Sequence, residues 1–451
     1  MKFHLIGIGG AGMSVVGELL LAQGVQVSGS DRSESDNTRT LEAAGARVFI
    51  GHDAANVDPD AVLVVSSAIK DSNPELAVAR SRGQQVLHRS QALALAAGDR
   101  DFIAVAGAHG KTTTSGMLAS ALAELGCDPS RAVGSTLAGG EPGGYLGTGS
   151  MLVAEADESD GSFLNYSPRV AIVTNVEPDH LDHYGTQEAF EEAFAEFARK
   201  IVPGGLLVAC ADNDGSSRLA QAAQMDGIRV VTYGRAQGAE NHVKVIDIET
   251  PDGMASGVFE YAGKSFPVSL AVAGAHNLLN AAAAWAAGVE LGIEPGAMAQ
   301  ALGAFHGTGR RFELRGEVNG IRVVDDYAHH PTEVEATLAT ARTVTDGRVL
   351  VLFQPHLYSR TRNFAARFAE ALSHADSVVV TAVYAAREVP DDGDEADVIV
   401  RHLPSARFVP GMIDAAHVIS SQARAGDLIL TMGAGSVTTM GNVILADLEQ
   451  R

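Results

Sequence analysis

The chain has 451 residues, too many for one hydrophobic core, so two to four domains are expected. Its 33 Lys and Arg face 55 Asp and Glu, a formal charge of −22, and without a broad basic field no nucleic-acid or anionic-membrane partner is expected. Cys127 and Cys210 offer neither metal-ligand spacing nor a disulfide framework, the Gly-rich start is unlike a signal peptide, and no stretch approaches the ~18 apolar residues of a membrane span, so a cytoplasmic protein is expected.

Residues 3–8, 25–28, 61–66 and 86–88 read as strands, with helical patterns between them such as 13–23. That alternation predicts a parallel sheet with helices on its faces. Residues 7–12, Gly-Ile-Gly-Gly-Ala-Gly, fit G-x-G-x-x-G between the first strand and a helix, and Asp31 ends the second strand. Gly7, Gly9, Gly10 and Gly12 let backbone approach a pyrophosphate, and Asp31 suits a ribose hydroxyl. NAD and a UDP-sugar both carry these groups, so an NAD-linked oxidoreductase stays open at this point.

The second block starts with an apolar strand at 102–106, followed by Gly-Ala-His-Gly-Lys-Thr-Thr-Thr at 107–114 and a helical pattern at 115–125. Strand, glycine turn, Lys-Thr and helix are the layout of a phosphate-binding loop. Its backbone at Gly107, His109, Gly110 and Thr113 suits a polyphosphate, Lys111 adds a point charge, and the Thr112 hydroxyl can reach Mg²⁺. The longer form of the pattern wants Gly where Val105 stands. Further strands are read at 151–154, 170–175 and 206–209. Glu155 opens Glu-Ala-Asp-Glu-Ser-Asp at the end of one of them, as a Mg²⁺ ligand or as part of a solvated acidic loop. His180, among carboxylates after the next strand, either ligates a second cation or caps the helix after Thr186. Residues 241–273 read as a small antiparallel addition, and 277–291 as a helix. Asn277 and Asn280 suit an adenine edge, although Asn277 could equally be an N-cap.

A third block begins near Arg311, with strands at 321–325, 349–353, 377–381 and 428–432 and helices at 332–342 and 364–375. Asp-Asp-Tyr-Ala-His-His-Pro at 325–331 and Gln-Pro-His-Leu-Tyr-Ser-Arg at 354–360 end adjacent strands, which makes a crevice. The expected domains are 1–100, 101–311 and 312–451.

Together the strings GIGGAGM, GAHGKTTT, EADESD, TNVEPDHLDHY, HNLLNA, GRRFE, DDYAHHPTE and QPHLYSRT, in this order over nearly the whole chain, resemble the Mur ligases, ATP-dependent amide-forming enzymes of peptidoglycan synthesis. Ser159 in EADESD points to the branch that adds L-alanine, because the peptide-salvaging branch usually has Tyr there. The resemblance implies an α/β protein of three domains: a Rossmann-like N-terminal domain, a central P-loop ATPase-like domain with a small antiparallel addition, and a Rossmann-like C-terminal domain. It implies UDP-N-acetylmuramate, ATP and L-alanine as substrates, two Mg²⁺ ions, and a monomer or homodimer. The first glycine loop, Asp31, Ser66 and Ser67 would then hold the UDP-sugar rather than NAD. Lys111, with Mg²⁺ on Thr112, Glu155 and His180, would serve the phosphates. Asn277, Asn280, Arg310 and Asp326 would surround the rest of ATP. Tyr327, His329, His356 and Arg360 would face the alanine and the lactyl group, with His329 or His356 a candidate base. Ala108 departs from the family's frequent Thr and Leu357 from its frequent Arg. No Lys precedes Lys200 in the helix after His183, so the carbamylated lysine of several relatives is not expected.

Overall fold

The computed structural model describes residues 1–238, 240–386, 388–389 and 397–451, and the chain divides into two compact units. The first comprises Met1–Ile246, Val258–Val268 and Leu279–His306; the second comprises Asp247–Gly257, Ser269–Leu278 and Gly307–Arg451.

The first unit opens with β1 (Lys2–Ile6), α1 (Ala11–Ala22), β2 (Gln26–Asp31), α2 (Asp36–Ala43), β3 (Arg47–Ile50), β4 (Ala61–Val65), α3 (Pro74–Ser81), β5 (Val86–His88) and α4 (Arg89–Ala97). The strands form a parallel sheet in the order β3-β2-β1-β4-β5. Order reverses on either side of β1, so the loop after it opens at a switch point, where ligands enter open α/β sheets.

The chain continues with β6 (Asp101–Ala106), α5 (Lys111–Glu124), β7 (Ser130–Ala132), β8 (Gly144–Tyr145), β9 (Met151–Glu155), β10 (Val170–Val173), α6 (Leu181–Tyr184), α7 (Gln187–Arg199), β11 (Leu206–Cys210), α8 (Asp214–Met225) and β12 (Arg229–Gly234). β12-β11-β10-β6-β9-β7 run parallel and β8 closes the edge antiparallel to β7. Here the switch point is the end of β6. The helix after it starts at Lys111 rather than near 115, which puts Lys111, Thr112 and Thr113 in its first turn. One hydrophobic core joins this sheet to the first, from Phe3, Leu5 and Leu93 through Phe102 to Phe190, Phe194 and Phe197. Those three phenylalanines share one face of α7 by their spacing, and Phe163 packs on Phe194 and Phe197 at 5.2 and 4.8 Å between ring centres.

Next come β13 (His242–Glu249), β14 (Met254–Tyr261), β15 (Lys264–Ala273), α9 (His276–Glu290) and α10 (Pro295–Ala301). β13 lies parallel to β12, so these strands extend the central sheet instead of forming a separate one. Ala262 and Gly263, both at positive φ, are the whole link from β14 to β15; such a primed turn makes a hairpin. Trp285 is fully buried against Phe259, Tyr261 and Phe266, with its Nε1 donating to Pro295 O at 2.9 Å.

The second unit carries β16 (Glu313–Val318), β17 (Ile321–Asp326), α11 (Pro331–Val344), β18 (Val349–Phe353), α12 (Tyr358–Asn363), α13 (Ala365–Leu372), β19 (Ser377–Val380), α14 (Val398–His402), β20 (Arg407–Phe408), α15 (Met412–Gln422), β21 (Leu428–Met432) and α16 (Met440–Glu449). The sheet order is β16-β17-β21-β18-β19-β20, parallel except for β16. Val349, Val351 and Phe353 enter one core and Leu350 and Leu352 the other, as a sheet covered on both faces requires. The helix expected over 364–375 is α13, capped by Phe364 and ending at Leu372, and a separate short helix, α12, precedes it.

Candidate active site

The parallel register of the central sheet assembles the first site. β6, β9 and β10 end at one edge, with Val105 beside Glu155 and Ala106 beside Val173. Gly110 takes φ +84°, a conformation open to glycine, and a Cβ there would press on Asn280 Oδ1. Thr174 Oγ1 and Asn175 Nδ2 donate to His109 O at 2.6 and 2.9 Å, while Asn175 Oδ1 accepts from His109 N at 3.2 Å. These bonds tie the loop to the end of β10. Thr112 Oγ1 donates to Glu155 Oε2 at 3.1 Å, and Gly134 N holds the other oxygen at 2.6 Å. Thr114 Oγ1 reaches Asn280 Oδ1 at 3.3 Å, so Asn280 sits on α5 behind the phosphate loop.

The acidic string after β9 is not a solvated loop. Glu158 is 1% exposed, and Lys111 Nζ lies 2.8 Å from its Oε1. His180 Nε2 stands 3.8 Å from the same oxygen and 3.5 Å from Asp179 Oδ2. Burial pushes the Glu158 carboxyl up to about 7 against the pull of Lys111, with Asp157 adding to the rise. Burial would lower the Lys111 ammonium, yet Glu158, Asp157 and Glu155 together raise it, so it stays charged. His180 does not cap α7, the helix after Thr186, since the Thr186 side chain accepts from Ala189 N there at 3.2 Å; it stands just before α6. His180 itself takes φ +51°.

The flanking aspartates bind back to the N-terminal segment. Arg89 Nη2 pairs with Asp157 Oδ2 at 2.8 Å; His88 Nε2 lies 3.5 Å from Asp160 Oδ2, to which Ser67 Oγ also donates. Burial disfavours the Asp160 carboxylate, but hydrogen bonds from His88, Ser162 and Ser67 hold it well below the usual range. At the first glycine loop, Gly7 N and Ile8 N donate to Ser30 O at 2.8 and 3.0 Å. Asp31 Oδ2 accepts from Gly9 N at 2.9 Å, and a Cβ on Gly9 would collide with Ser35 and Thr38. Gly10 precedes α1, whose N-terminus carries no side-chain cap. Ser66 and Ser67 follow β4, on the same edge as Gly7.

In the second unit, Tyr327 and His329 stand 5.1 Å apart between ring centres, and His329 and His356 stand 5.8 Å apart. Arg360, 5% exposed, brings Nη1 to within 3.3 Å of His356 Nδ1. His329 Nδ1 is 3.2 Å from Glu333 Oε2, and Tyr384 stacks on His356 at 5.7 Å. Leu357 is buried at φ +66°, turned into the fold beside this cluster. Arg310 covers the Tyr327 ring at 4.7 Å, pairs with Asp325 at 3.3 Å and donates to Gly433 O at 2.6 Å. Asp326 accepts from Phe312 N, Ala328 N and Thr337 Oγ1, and burial pushes it up to about 6 despite Arg311. Asn277 is the second residue of α9 and donates to Ala273 O at 2.6 Å, closing the strand end rather than capping the helix.

Family models match three stretches: residues 2–100 (Mur ligase family, catalytic domain), 147–288 (Mur ligase middle domain) and 310–435 (Mur ligase, glutamate ligase domain). A UDP-N-acetylmuramate–L-alanine ligase of Kineococcus radiotolerans is 53% identical over 100% of this chain and 97% of its own. The chain belongs to the Mur ligase family. A ligase of the same name from Renibacterium salmoninarum is 51% identical over 98% of this chain and 95% of its own. Among solved structures, the UDP-N-acetylmuramate–alanine ligase of Thermotoga maritima superposes with a TM-score of 0.83 at 31% identity, covering 100% of this chain and 99% of that one. A murein peptide ligase from Psychrobacter arcticus reaches 0.73 at 27% identity, covering 100% and 99%.

Mur ligases use ATP, and Lys111 stands at the start of α5 in this chain. No three His, Cys, Asp or Glu side chains converge as a metal cage among the described residues. Mg²⁺ commonly takes one or two carboxylates and completes its shell with water and substrate phosphates. Glu158 Oε2 is buried without a hydrogen-bond partner, the kind of vacancy a cation would satisfy. Glu158 lay inside a string recognised as acidic, but position in a loop gives no hint of which carboxylate turns inward. Asn175, Arg89 and His88 likewise carry no periodic signal; their roles come from the fold. No helix among the described residues is long and apolar enough to cross a membrane.

Proposed function

We propose that this chain is an ATP-dependent ligase joining L-alanine to the lactyl carboxylate of UDP-N-acetylmuramate. The observation that carries the reading is 53% identity, along the whole chain, with a relative of that name. The two glycine loops support it, since a UDP-sugar and ATP each need a pyrophosphate cradle, and here two stand in one unit.

The division of labour follows from the residues. The loop at 7–12 with Asp31, Ser66 and Ser67 binds the UDP-sugar. The loop at 107–114 with Asn280 binds ATP, and Asn277, Arg310 and Asp326 complete its surroundings. The domains are 1–100 for the UDP-sugar, 101–311 for ATP and 312–451 for the amino acid. Thr112, Glu155, Glu158 and His180 would hold Mg²⁺, which when bound neutralises phosphate charge. Lys111 neutralises the γ-phosphate so that the lactyl carboxylate, itself an anion, can attack it. One carboxylate oxygen bonds to phosphorus as the bond to ADP breaks. The neutral amine of alanine then adds to the acyl carbon, and phosphate departs with that same oxygen. Tyr327, His329, His356 and Arg360 receive the alanine, with His329 or His356 as the base that takes the ammonium proton; the Glu333 carboxylate 3.2 Å from His329 Nδ1 supports His329 in that role.

The test is phosphate release from ATP and UDP-N-acetylmuramate with each amino acid in turn. L-Alanine should exceed glycine by about 10–200-fold, the range one methyl can discriminate. Release that depends instead on a tripeptide would transfer the chain to the peptide-ligase reading that the Psychrobacter arcticus structure represents.

A further inference from the structure

α4 begins with Arg89, a residue no nucleotide motif includes, and Arg89 touches both ends of the first unit's chemistry. A Cβ on Gly12 would fall on the Arg89 guanidinium, so the last glycine of G-x-G-x-x-G is what makes room for this side chain. On its other side the guanidinium pairs with Asp157 at 2.8 Å. The next residue, Glu158, is the carboxylate on Lys111 at 2.8 Å. Gly12, Arg89, Asp157, Glu158 and Lys111 therefore form one contiguous chain from the first glycine loop to the phosphate loop.

We infer that Arg89 is a positioning residue for the ATP site, which it serves by neutralising Asp157, one of the three carboxylates that act on Lys111. The charges facing Asp157 are Arg89 and Lys111 on the attractive side and Asp160 and Glu158 on the repulsive side. Those facing Lys111 are Glu158, Asp157 and Glu155. With Arg89 removed, Lys111 is the main cation left to Asp157 among the described residues, and the site that must accept a polyanion carries one more uncompensated negative charge. Arg89 need not touch ATP to have this effect. The inference rests on the reading of residues 107–114 as the ATP loop.

The test is a charge-rescue cycle read through steady-state kinetics and calorimetric binding of Mg·ADP. Arg89→Met should raise the KM for Mg·ATP about tenfold, the size expected for one uncompensated charge a few ångströms away at a part-exposed site. Arg89→Lys, which keeps the charge, should stay within about threefold of the parent. Asp157→Asn placed on Arg89→Met should return the Mg·ATP KM to within about twofold, because it removes the charge that Arg89 no longer balances. Asp157→Asn alone should leave that KM unchanged or lower it, and it serves as the test if Arg89→Met does not fold. The inference is overturned if Arg89→Met raises only the UDP-sugar KM, if Asp157→Asn fails to rescue it, or if Asp157→Asn alone raises the Mg·ATP KM tenfold. Failure of the underlying reading looks different: the unmutated protein would bind no Mg·ADP, and the inference would fall with it.

Discussion

Lys111 holds Glu158 at 2.8 Å, so an arriving γ-phosphate must draw the ammonium away from a buried carboxylate. Lys111→Ala should therefore cut phosphate release by at least ~10²-fold, the usual cost of losing one preorganised charge donor. UDP-sugar binding, measured by calorimetry, should persist; unchanged turnover would remove the phosphate-loop assignment. Asp31 has the opposite profile. Its carboxylate already shapes the first loop through Gly9 N at 2.9 Å, so Asp31→Ala should weaken the UDP-sugar about tenfold or more and spare ATP. A fall in ATP affinity instead would show that the two glycine loops had been assigned the wrong way round. At this scale the sequence singled out residues whose type suggests a task, such as Lys111 and Thr112. It did not reveal Glu158 or Arg89, whose tasks arise from burial and from a partner 68 positions away. Asn277 illustrates the same limit: as a residue type it allowed an N-cap, yet it is the second residue of α9 and its amide donates to Ala273 O.

At the scale of elements, strands buried on both faces were legible because a continuous apolar run admits little else, as in β6, β10 and β18. Short strands at or next to a sheet edge, such as β3, β7 and β8, were not, since their hydrogen bonding is supplied by neighbours rather than by their own pattern. β2 rests on a buried polar knot of the same hidden kind. Glu75, from α3, accepts from Ser30 Oγ at 2.5 Å and from Asn56 Nδ2 at 2.8 Å, with His52 at 3.3 Å and His4 at 3.7 Å. Burial raises the Glu75 carboxyl, but His4, Ser30 and Asn56 outweigh it and hold the group at about 2, against an ordinary 4.5. The folded state thus binds fewer protons than the unfolded one between these values. The stabilisation, on the order of 3 kcal/mol, is complete above pH ~4.5 and is lost as pH falls towards ~2. Glu75→Gln should lose about that much at pH 7 in urea denaturation, with the gap to the parent closing below pH ~4. A gap independent of pH would mean that packing, not charge, explains the loss.

For the whole molecule, the alternation of strand and helix sufficed for an α/β protein with parallel sheets, and the ordered motifs sufficed for the family. The division into two compact units was not legible, because it follows from which core residues meet: the first two sheets share one core from Phe3 to Phe197. Sharing a core, the two glycine loops belong to one unit, and that arrangement underlies the central claim that the phosphate loop aims a γ-phosphate at a carboxylate delivered from the first sheet. The most direct measurement supplies UDP-N-acetylmuramate labelled with ¹⁸O in its lactyl carboxylate, together with ATP and L-alanine, and weighs the released phosphate. Transfer through an acyl phosphate predicts one ¹⁸O in each phosphate. Phosphate that leaves unlabelled while the amide forms would contradict the account.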